Sequence, residues 1–239
     1  LWCSRSTACR AWATRTSSSR PVRRLKQLRT YEVALDKAGF GPVAGVDEAG
    51  RGACFGPITI AACVLPTAPQ PALEELTDSK KLTARKRDVL FDAVKNVAVA
   101  YSVVHISAAE IDHRGIQHAN IDGARRAIAG LSVKPGYVLI DAFRIPGLPS
   151  PQLPVVGGDY TARCIAAASV LAKVSRDRLV CEMAQAFPQY GLEGHKGYST
   201  KVHMDAVRRH GASPEHRYSY ANVRDADDFY WQSSKKGQA

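Results

Sequence analysis

Four acidic residues have the types and settings that metal-assisted chemistry needs. Asp47 and Glu48 are adjacent and lead into Gly50-Arg51-Gly52. Asp141 closes the wholly apolar run Tyr137–Ile140, and Asp159 follows Gly157-Gly158. Taken singly, each has an ordinary reading. An Asp-Glu pair beside glycines is a solvated turn, and a carboxylate at a strand end or ahead of a helix is a cap. Taken together, three or four converging carboxylates would repel and raise one another's pKa. A hard divalent cation would relieve that repulsion and accept oxygen ligands. Two such ions about 3.5–4 Å apart would activate a water and stabilise the leaving oxygen in phosphodiester hydrolysis. Successive strand residues face opposite ways, so Asp47 and Glu48 reach one site only if the strand ends or bends there, which the glycines permit.

Further groups could meet a phosphate. Asp78-Ser79-Lys80-Lys81 offers a hydroxyl and two ammonium groups in a loop that would otherwise be a solvated turn. Arg51, between two glycines, could present its guanidinium and nearby backbone N–H groups. His195-Lys196-Gly197-Tyr198 sets an aromatic ring beside a cation, able to stack on a sugar or base. The seven histidines show no H-E-x-x-H pattern, which argues against histidine-ligated zinc. P-loop, complete G-x-G-x-x-G and G-x-S-x-G patterns are absent as well. Of the six cysteines (Cys3, Cys9, Cys54, Cys63, Cys164, Cys181) none forms C-x-x-C, so they read as reduced thiols in a cytoplasmic protein.

The elements that must position these groups follow from periodicity and punctuation. A short helix is expected over Tyr31–Ala38, ended by Gly39. Val43–Val46 reads as a strand ending in Asp47-Glu48, and Ile58–Leu65 as its antiparallel partner. Thr83–Val97 reads as an amphipathic helix with Val89, Leu90, Ala93 and Val94 on one face. Val99–Ile106 reads as a strand, and Ser107-Ala-Ala-Glu110 has the spacing of a capping box that opens a helix. Another helix is expected over Ile121–Leu131, then a central strand over Tyr137–Ile140. Residues 144–154, with four prolines, read as an extended loop before a short strand at Val155-Val156. A long helix over Thr161–Phe187 and another over Thr200–Arg209 with Gly211 as its cap complete the pattern. Residues 225–239 read as a loose polar tail. This order predicts an α/β fold, a mixed sheet with helices packed on it.

Composition bounds the rest. The chain has 239 residues, 45% hydrophobic and 23% charged, so it can bury a core without staples and is not a disordered chain. No run approaches the roughly 18 apolar residues of a membrane span. The formal charge of +11 divides unevenly. Residues 1–30 carry eight Lys/Arg and no acid, leaving the remainder a net of only +3. Residues 1–29 fit a transit peptide, a phosphate-attracting arm, or a stretch upstream of the working protein; the expectation is a basic, disordered extension without specific chemistry. The folded catalytic domain is expected over 30–224.

Val46-Asp-Glu-Ala-Gly-Arg-Gly52, Asp78-Ser-Lys-Lys-Leu82, Tyr137-Val-Leu-Ile-Asp141, Gly158-Asp159, Ala167–Asp177 and Phe187–Tyr198 together resemble bacterial ribonuclease HII, the type 2 ribonuclease H. The order and spacing match from about Thr30 to Arg224, and the style of the sequence looks actinobacterial. The resemblance implies a ribonuclease H-like fold, with a five-stranded mixed sheet flanked by helices and a small C-terminal helical part. It implies a cytoplasmic, monomeric endonuclease, with no membrane partner, that uses Mg²⁺ or Mn²⁺. Its substrates would be RNA–DNA hybrids and duplex DNA holding single ribonucleotides, as in ribonucleotide excision repair. Cleavage would fall 5′ of the ribonucleotide and leave 3′-hydroxyl and 5′-phosphate ends. By the same resemblance Asp47, Glu48, Asp141 and Asp159 are the metal-binding catalytic acids. Gly50, Arg51 and Gly52 match the loop that senses the RNA-to-DNA junction. Tyr198 matches the ring that packs on the following deoxyribose, and Ser79, Lys80 and Lys81 are phosphate contacts. Two rivals differ in class: a metal-dependent DNA nuclease or resolvase would cut all-DNA duplex, and a non-catalytic module would bind without turnover.

Overall fold

The computed structural model describes residues 28–236; the expectations for residues 1–27, including Cys3 and Cys9, lie outside the described residues. Five strands form one sheet in the order β3-β2-β1-β4-β5. They are β1 (Val43–Ala49), β2 (Ile58–Val64), β3 (Ala100–Ile106), β4 (Tyr137–Asp141) and β5 (Gln152–Val155). The first three pair antiparallel, while β4 runs parallel to β1 and β5 parallel to β4, so the sheet is mixed. The β1–β2 hairpin and the parallel crossover both follow from the sequence pattern: a glycine-bearing loop joins the first pair, and helices separate β3 from β4.

Nine α-helices lie among the described residues. Helix α1 (Thr30–Lys37) precedes the sheet; α2 (Ala84–Val97), α3 (Ala108–Arg114) and α4 (Ile116–Ala129) lie between β2 and β4. Then come α5 (Gly158–Thr161), α6 (Arg163–Ala186), α7 (Leu192–His195), α8 (Lys201–His210) and α9 (Ala221–Lys236). Alternate residues of β1 divide the core. Val46 faces a cluster with Ile60, Ile140 and α4, while Ala49 faces a second cluster with α2 and the alanine-rich middle of α6. That middle, Cys164–Ala172, is fully buried apart from a trace at Ser169. Its small side chains let helix and sheet backbones approach closely.

Several boundaries differ from expectation. Strand β1 does not end at Asp47-Glu48; both are paired strand residues opposite Ala61 and Ile60. The turn falls at Gly50, whose φ of +86° a side chain would strain. On α2 the buried face is Leu90, Phe91 and Val94, with Val89 exposed, because aromatic Phe91 takes the core place given to valine. Helix α4 starts at Ile116, since Gly115 at φ +81° breaks it from α3. The segment Gln152–Val155 is a strand rather than loop, and it tolerates Pro154 because β5 is an edge. Val156 leaves the sheet and is 89% exposed. The long helix is interrupted by extended Ala162. The stretch read as a loose tail from residue 225 is helical to Lys236, because Val223 and Ala226, three apart, bury against Met204 and Val207.

The C-terminal helices enclose a third cluster around Phe55, Tyr190, His203 and His216. Both imidazoles are buried and linked in one chain. The Ser213 N–H donates to His216 Nδ1 at 3.0 Å, the two Nε2 atoms share a proton at 3.1 Å, and His203 Nδ1 donates to the Tyr198 carbonyl at 3.0 Å. That chain needs both rings neutral. Burial pulls His203 down to about 4 and His216 to about 3. The unfolded chain therefore takes up protons first, and the stability these rings contribute is present above about pH 6.5 and lost as pH falls. Buried carboxylates titrate in the opposite sense, so a difference isolates the histidines. The stability gap between the wild-type chain and His216→Gln, measured by urea unfolding, is expected to be widest above pH 7 and to narrow steadily towards pH 4; a constant gap would refute the linkage.

Candidate active site

The sheet register brings the first two acids abreast. Val46 lies beside Ile140 on adjacent parallel strands, so the next residues, Asp47 and Asp141, stand side by side on the same face. That face looks towards α6, where Ser169 approaches Asp47. Glu48 points to the opposite face, towards Asn120 on α4. The pair thus flanks the strand end from both sides instead of bending into one place. Asp141 sits at the last paired position of β4, next to Val155. Its Oδ1 accepts the Gly158 N–H at 2.8 Å, which ties down the turn that presents Asp159.

The electrostatics are those of carboxylates crowded out of water. Burial, then Glu48 and Asp141, push Asp47 well above the usual carboxylate range, against the pull of the Ser169 hydroxyl. Burial raises Glu48 too; Arg51 pulls it back and Asp141 pushes it further. Asp159 is pushed up to about 6 by burial, Asp78 and Asp141. Lys80 stands among them. Burial opposes its charge, but Asp47, Asp78, Asp159 and Asp141 outweigh that and hold the ammonium above its ordinary value. Among the described residues no three His, Cys, Asp or Glu side chains are gathered tightly enough to hold a metal ion as they stand. The donor chemistry nevertheless fits a hard divalent cation: Asp47, Glu48 and Asp141 offer carboxylate oxygens, repel one another, and have no arginine partner within ion-pair distance among the described residues.

Beside the acids runs a groove of about 550 Å³, lined among others by Glu48, Gly50, Arg51, Gly52, Lys80 and Tyr198. Two buried arginines shape it. Arg217 donates to the carbonyls of Gly50 at 2.8 Å, Arg51 at 3.1 Å and Gly56 at 3.0 Å. Arg176 donates to Pro57, Phe55 and Lys196 carbonyls at 2.9–3.0 Å. The Arg51 side chain itself is free of the core and is held at its tip by Gln117. Tyr198 is joined to the same loop by an isolated bridge to Ala53. Its half-exposed ring lies 5.7 Å from the Lys173 ammonium and 5.5 Å from the Arg176 guanidinium.

The remaining sequence-predicted residues divide. Ser79 is at the groove wall but buried, its hydroxyl bonded to Ser169 at 2.9 Å. Lys81 turns away, its ammonium 4.3 Å from the Tyr160 ring. Sequence reasoning missed Asp78, whose carboxylate accepts the Lys80 N–H at 2.9 Å and the Tyr160 hydroxyl at 2.8 Å. It also missed Asn120, Ser169, Lys173, Arg176 and Arg217. The roles of the last two are revealed only by their three-dimensional carbonyl partners.

The described site can be set beside known proteins. A family model described as ribonuclease HII matches residues 44–223. A ribonuclease HII of Corynebacterium efficiens is 72% identical over 86% of this chain and 89% of its own length. One from Mycobacteroides abscessus is 57% identical over 90% of this chain and 91% of its own. The crystal structure of the ribonuclease H2 from Pyrococcus horikoshii superposes with a TM-score of 0.67 at 25% identity, covering 80% of this chain and 99% of that one.

The Gly50 turn provides a direct test of the loop. A Cβ there would overlap the Arg176 side chain, and φ is left-handed. Gly50→Ala is expected to cost about 1–3 kcal/mol in urea unfolding and to weaken nucleic-acid binding. Wild-type stability together with wild-type binding would show that the turn is not constrained.

Proposed function

The chain belongs to the ribonuclease HII family of metal-dependent endoribonucleases, and on that premise we propose that it hydrolyses the RNA strand of RNA–DNA hybrids and incises 5′ of single ribonucleotides embedded in duplex DNA. The observation that carries the reading is the pairing of Asp47 and Asp141 on parallel strands, flanked by Glu48 and Asp159, beside a groove lined by the glycine loop and Tyr198. Asp47, Glu48, Asp141 and Asp159 are the groups that would hold divalent ions, Mg²⁺ or Mn²⁺. When bound, such ions supply charge neutralisation at the scissile phosphate and a more acidic water. The water oxygen bonds to phosphorus, the P–O3′ bond breaks, and the 3′ oxygen leaves with a proton; the products are a 3′-hydroxyl and a 5′-phosphate.

The chain's own residues supply recognition. RNA is told from DNA by its 2′-hydroxyl, which requires close backbone approach. Gly50 and Gly52 allow that approach, and Arg217 takes up the Gly50 and Arg51 carbonyls so that they turn away from the groove. Tyr198 would pack on the next deoxyribose, where a 2′-hydroxyl would crowd it. Lys80, Arg87 and Lys173 line the groove and match the phosphates of a duplex. The chain is expected to act as a monomer.

Cleavage of a DNA duplex holding one ribonucleotide, assayed with Mg²⁺, with Mn²⁺ and with chelator, tests the reading. Turnover should appear with either ion, vanish with chelator, and be absent on all-DNA duplex; cutting of all-DNA duplex would favour the DNA-nuclease rival. Asp141→Asn should lower turnover at least about 10²-fold while hybrid binding persists, and near-wild-type turnover would reject the site.

Tyr198→Ala should cost about 1–3 kcal/mol of transition-state binding on the single-ribonucleotide substrate and much less on a long hybrid, measured as kcat/KM. Equal loss on both would remove the junction role.

A further inference from the structure

At the opposite end of β1 from the acids lies a cavity of about 160 Å³, lined among others by Arg29, Glu32, Val43, Val64, Thr67 and Arg163. Arg163 opens α6 and is only 3% exposed, yet its Nε, Nη1 and Nη2 all lack a hydrogen-bond partner among the described residues. Burial and the neighbouring Arg29 pull its pKa down, with Glu32 and Glu74 opposing. A buried guanidinium without acceptors is among the costliest arrangements a fold can hold. Glu32 is its complement. One carboxylate oxygen accepts the Cys164 N–H at 2.8 Å and caps α6, while the other, Oε2, is buried and has no donor among the described residues. Residues 1–27 contain no Asp or Glu, so that part of the chain has no carboxylate to give Arg163.

We propose that this cavity is a binding site for a phosphate group, held by Arg163 and Arg29 and read by Glu32. The unmet groups specify the ligand: it must accept several hydrogen bonds from guanidinium and donate one to a carboxylate oxygen. A hydrogenphosphate or a phosphate monoester with one proton does both, its ionised oxygens on the arginine fork and its hydroxyl on Glu32 Oε2. Sulfate, fully ionised near neutral pH, has the acceptors but no hydroxyl. Val43 and Asp47 are four strand residues apart, so the site lies about 13 Å from the acids and is separate from the groove. It stands whether or not the nuclease reading holds.

The test is isothermal titration of the full chain with inorganic phosphate at constant ionic strength and about pH 6, where roughly half of a phosphate monoester still carries its proton, with chelator present throughout so that no ion bridges phosphate to the acids. One phosphate per chain is expected, with sulfate binding at least about tenfold more weakly for want of the charged hydrogen bond. A nucleoside 5′-monophosphate forms the second arm. Binding as tight as phosphate assigns the site to a phosphate monoester, and weaker binding assigns it to free phosphate. Arg163→Lys keeps the charge but loses the fork, and should weaken phosphate at least about tenfold. Glu32→Gln keeps an oxygen for the Cys164 N–H but offers an amide donor, and should abolish the preference for phosphate over sulfate. Phosphate binding unchanged in Arg163→Lys, sulfate matching phosphate in the wild-type chain, or no binding of either would each overturn the proposal.

Discussion

Everything in this molecule is referenced to the contact between β1 and α6. They run alongside each other in the same direction, and three positions mark the path. A Cβ on Gly45 would collide with the Cys164 and Ile165 backbone, Asp47 meets Ser169, and Gly50 meets the Arg176 side chain. Five strand residues rise about 17 Å, and twelve helical residues, from 164 to 176, rise about 18 Å. The two rulers agree, so strand and helix stay in step along the whole contact. Glycine at 45 and the alanines of α6 make that closeness possible. A bulkier residue would lift the helix and carry Ser169 and Arg176 away from the partners that depend on them.

The glycine loop beyond β1 has no regular ladder to hold it, and the two buried arginines replace one. Arg176 and Arg217 together bind six backbone carbonyls between Gly50 and Lys196. Neither has a carboxylate partner among the described residues, and burial drags Arg176 down to about 10. Such an arrangement is stable because carbonyl dipoles, fixed in place by the surrounding chain, do the work that water would do outside. It also explains why the C-terminal helices belong to the site. Arg217 and the His216–His203 chain reach from that region to Gly50 and to the Tyr198 carbonyl. Removing those helices would release the loop and the tyrosine together.

How much of this was legible beforehand follows a physical line. Four of the five strands were readable because apolar runs punctuated by glycine and proline mark the element, while the prolines around Gln152–Val155 hid the fifth; the acids were readable because each lies at such a punctuation. The family pattern gathered them into one set. What sequence periodicity does not encode is partners distant in the chain. Arg217, in a polar segment, gives no local sign that it reaches Gly50, 167 residues earlier. The same holds for Asn120 beside Glu48, and for Arg163, whose neighbours in sequence look like an ordinary helix start. The tail was misjudged for a related reason: Val223 and Ala226 are too few to show an amphipathic stripe until α8 is there to cover them.

Charge explains why site and groove must be read together. Asp47, Glu48, Asp141 and Asp159 would repel a polyanionic duplex, and burial, with mutual repulsion behind it, already holds three of them above the ordinary carboxylate range. Lys80 offsets part of that charge from within, drawing on four acids at once. A single ammonium is too little for four carboxylates, and it has three donors but no vacant coordination to offer a scissile phosphate. The remaining deficit is what divalent ions would fill, while Lys80 lines the groove beside Arg87 and Lys173. Ions held by these acids would favour a phosphate in the groove, and a phosphate there would favour the ions. Carboxylates left without ions would repel a phosphate, and the one ammonium among them offsets only part of that repulsion.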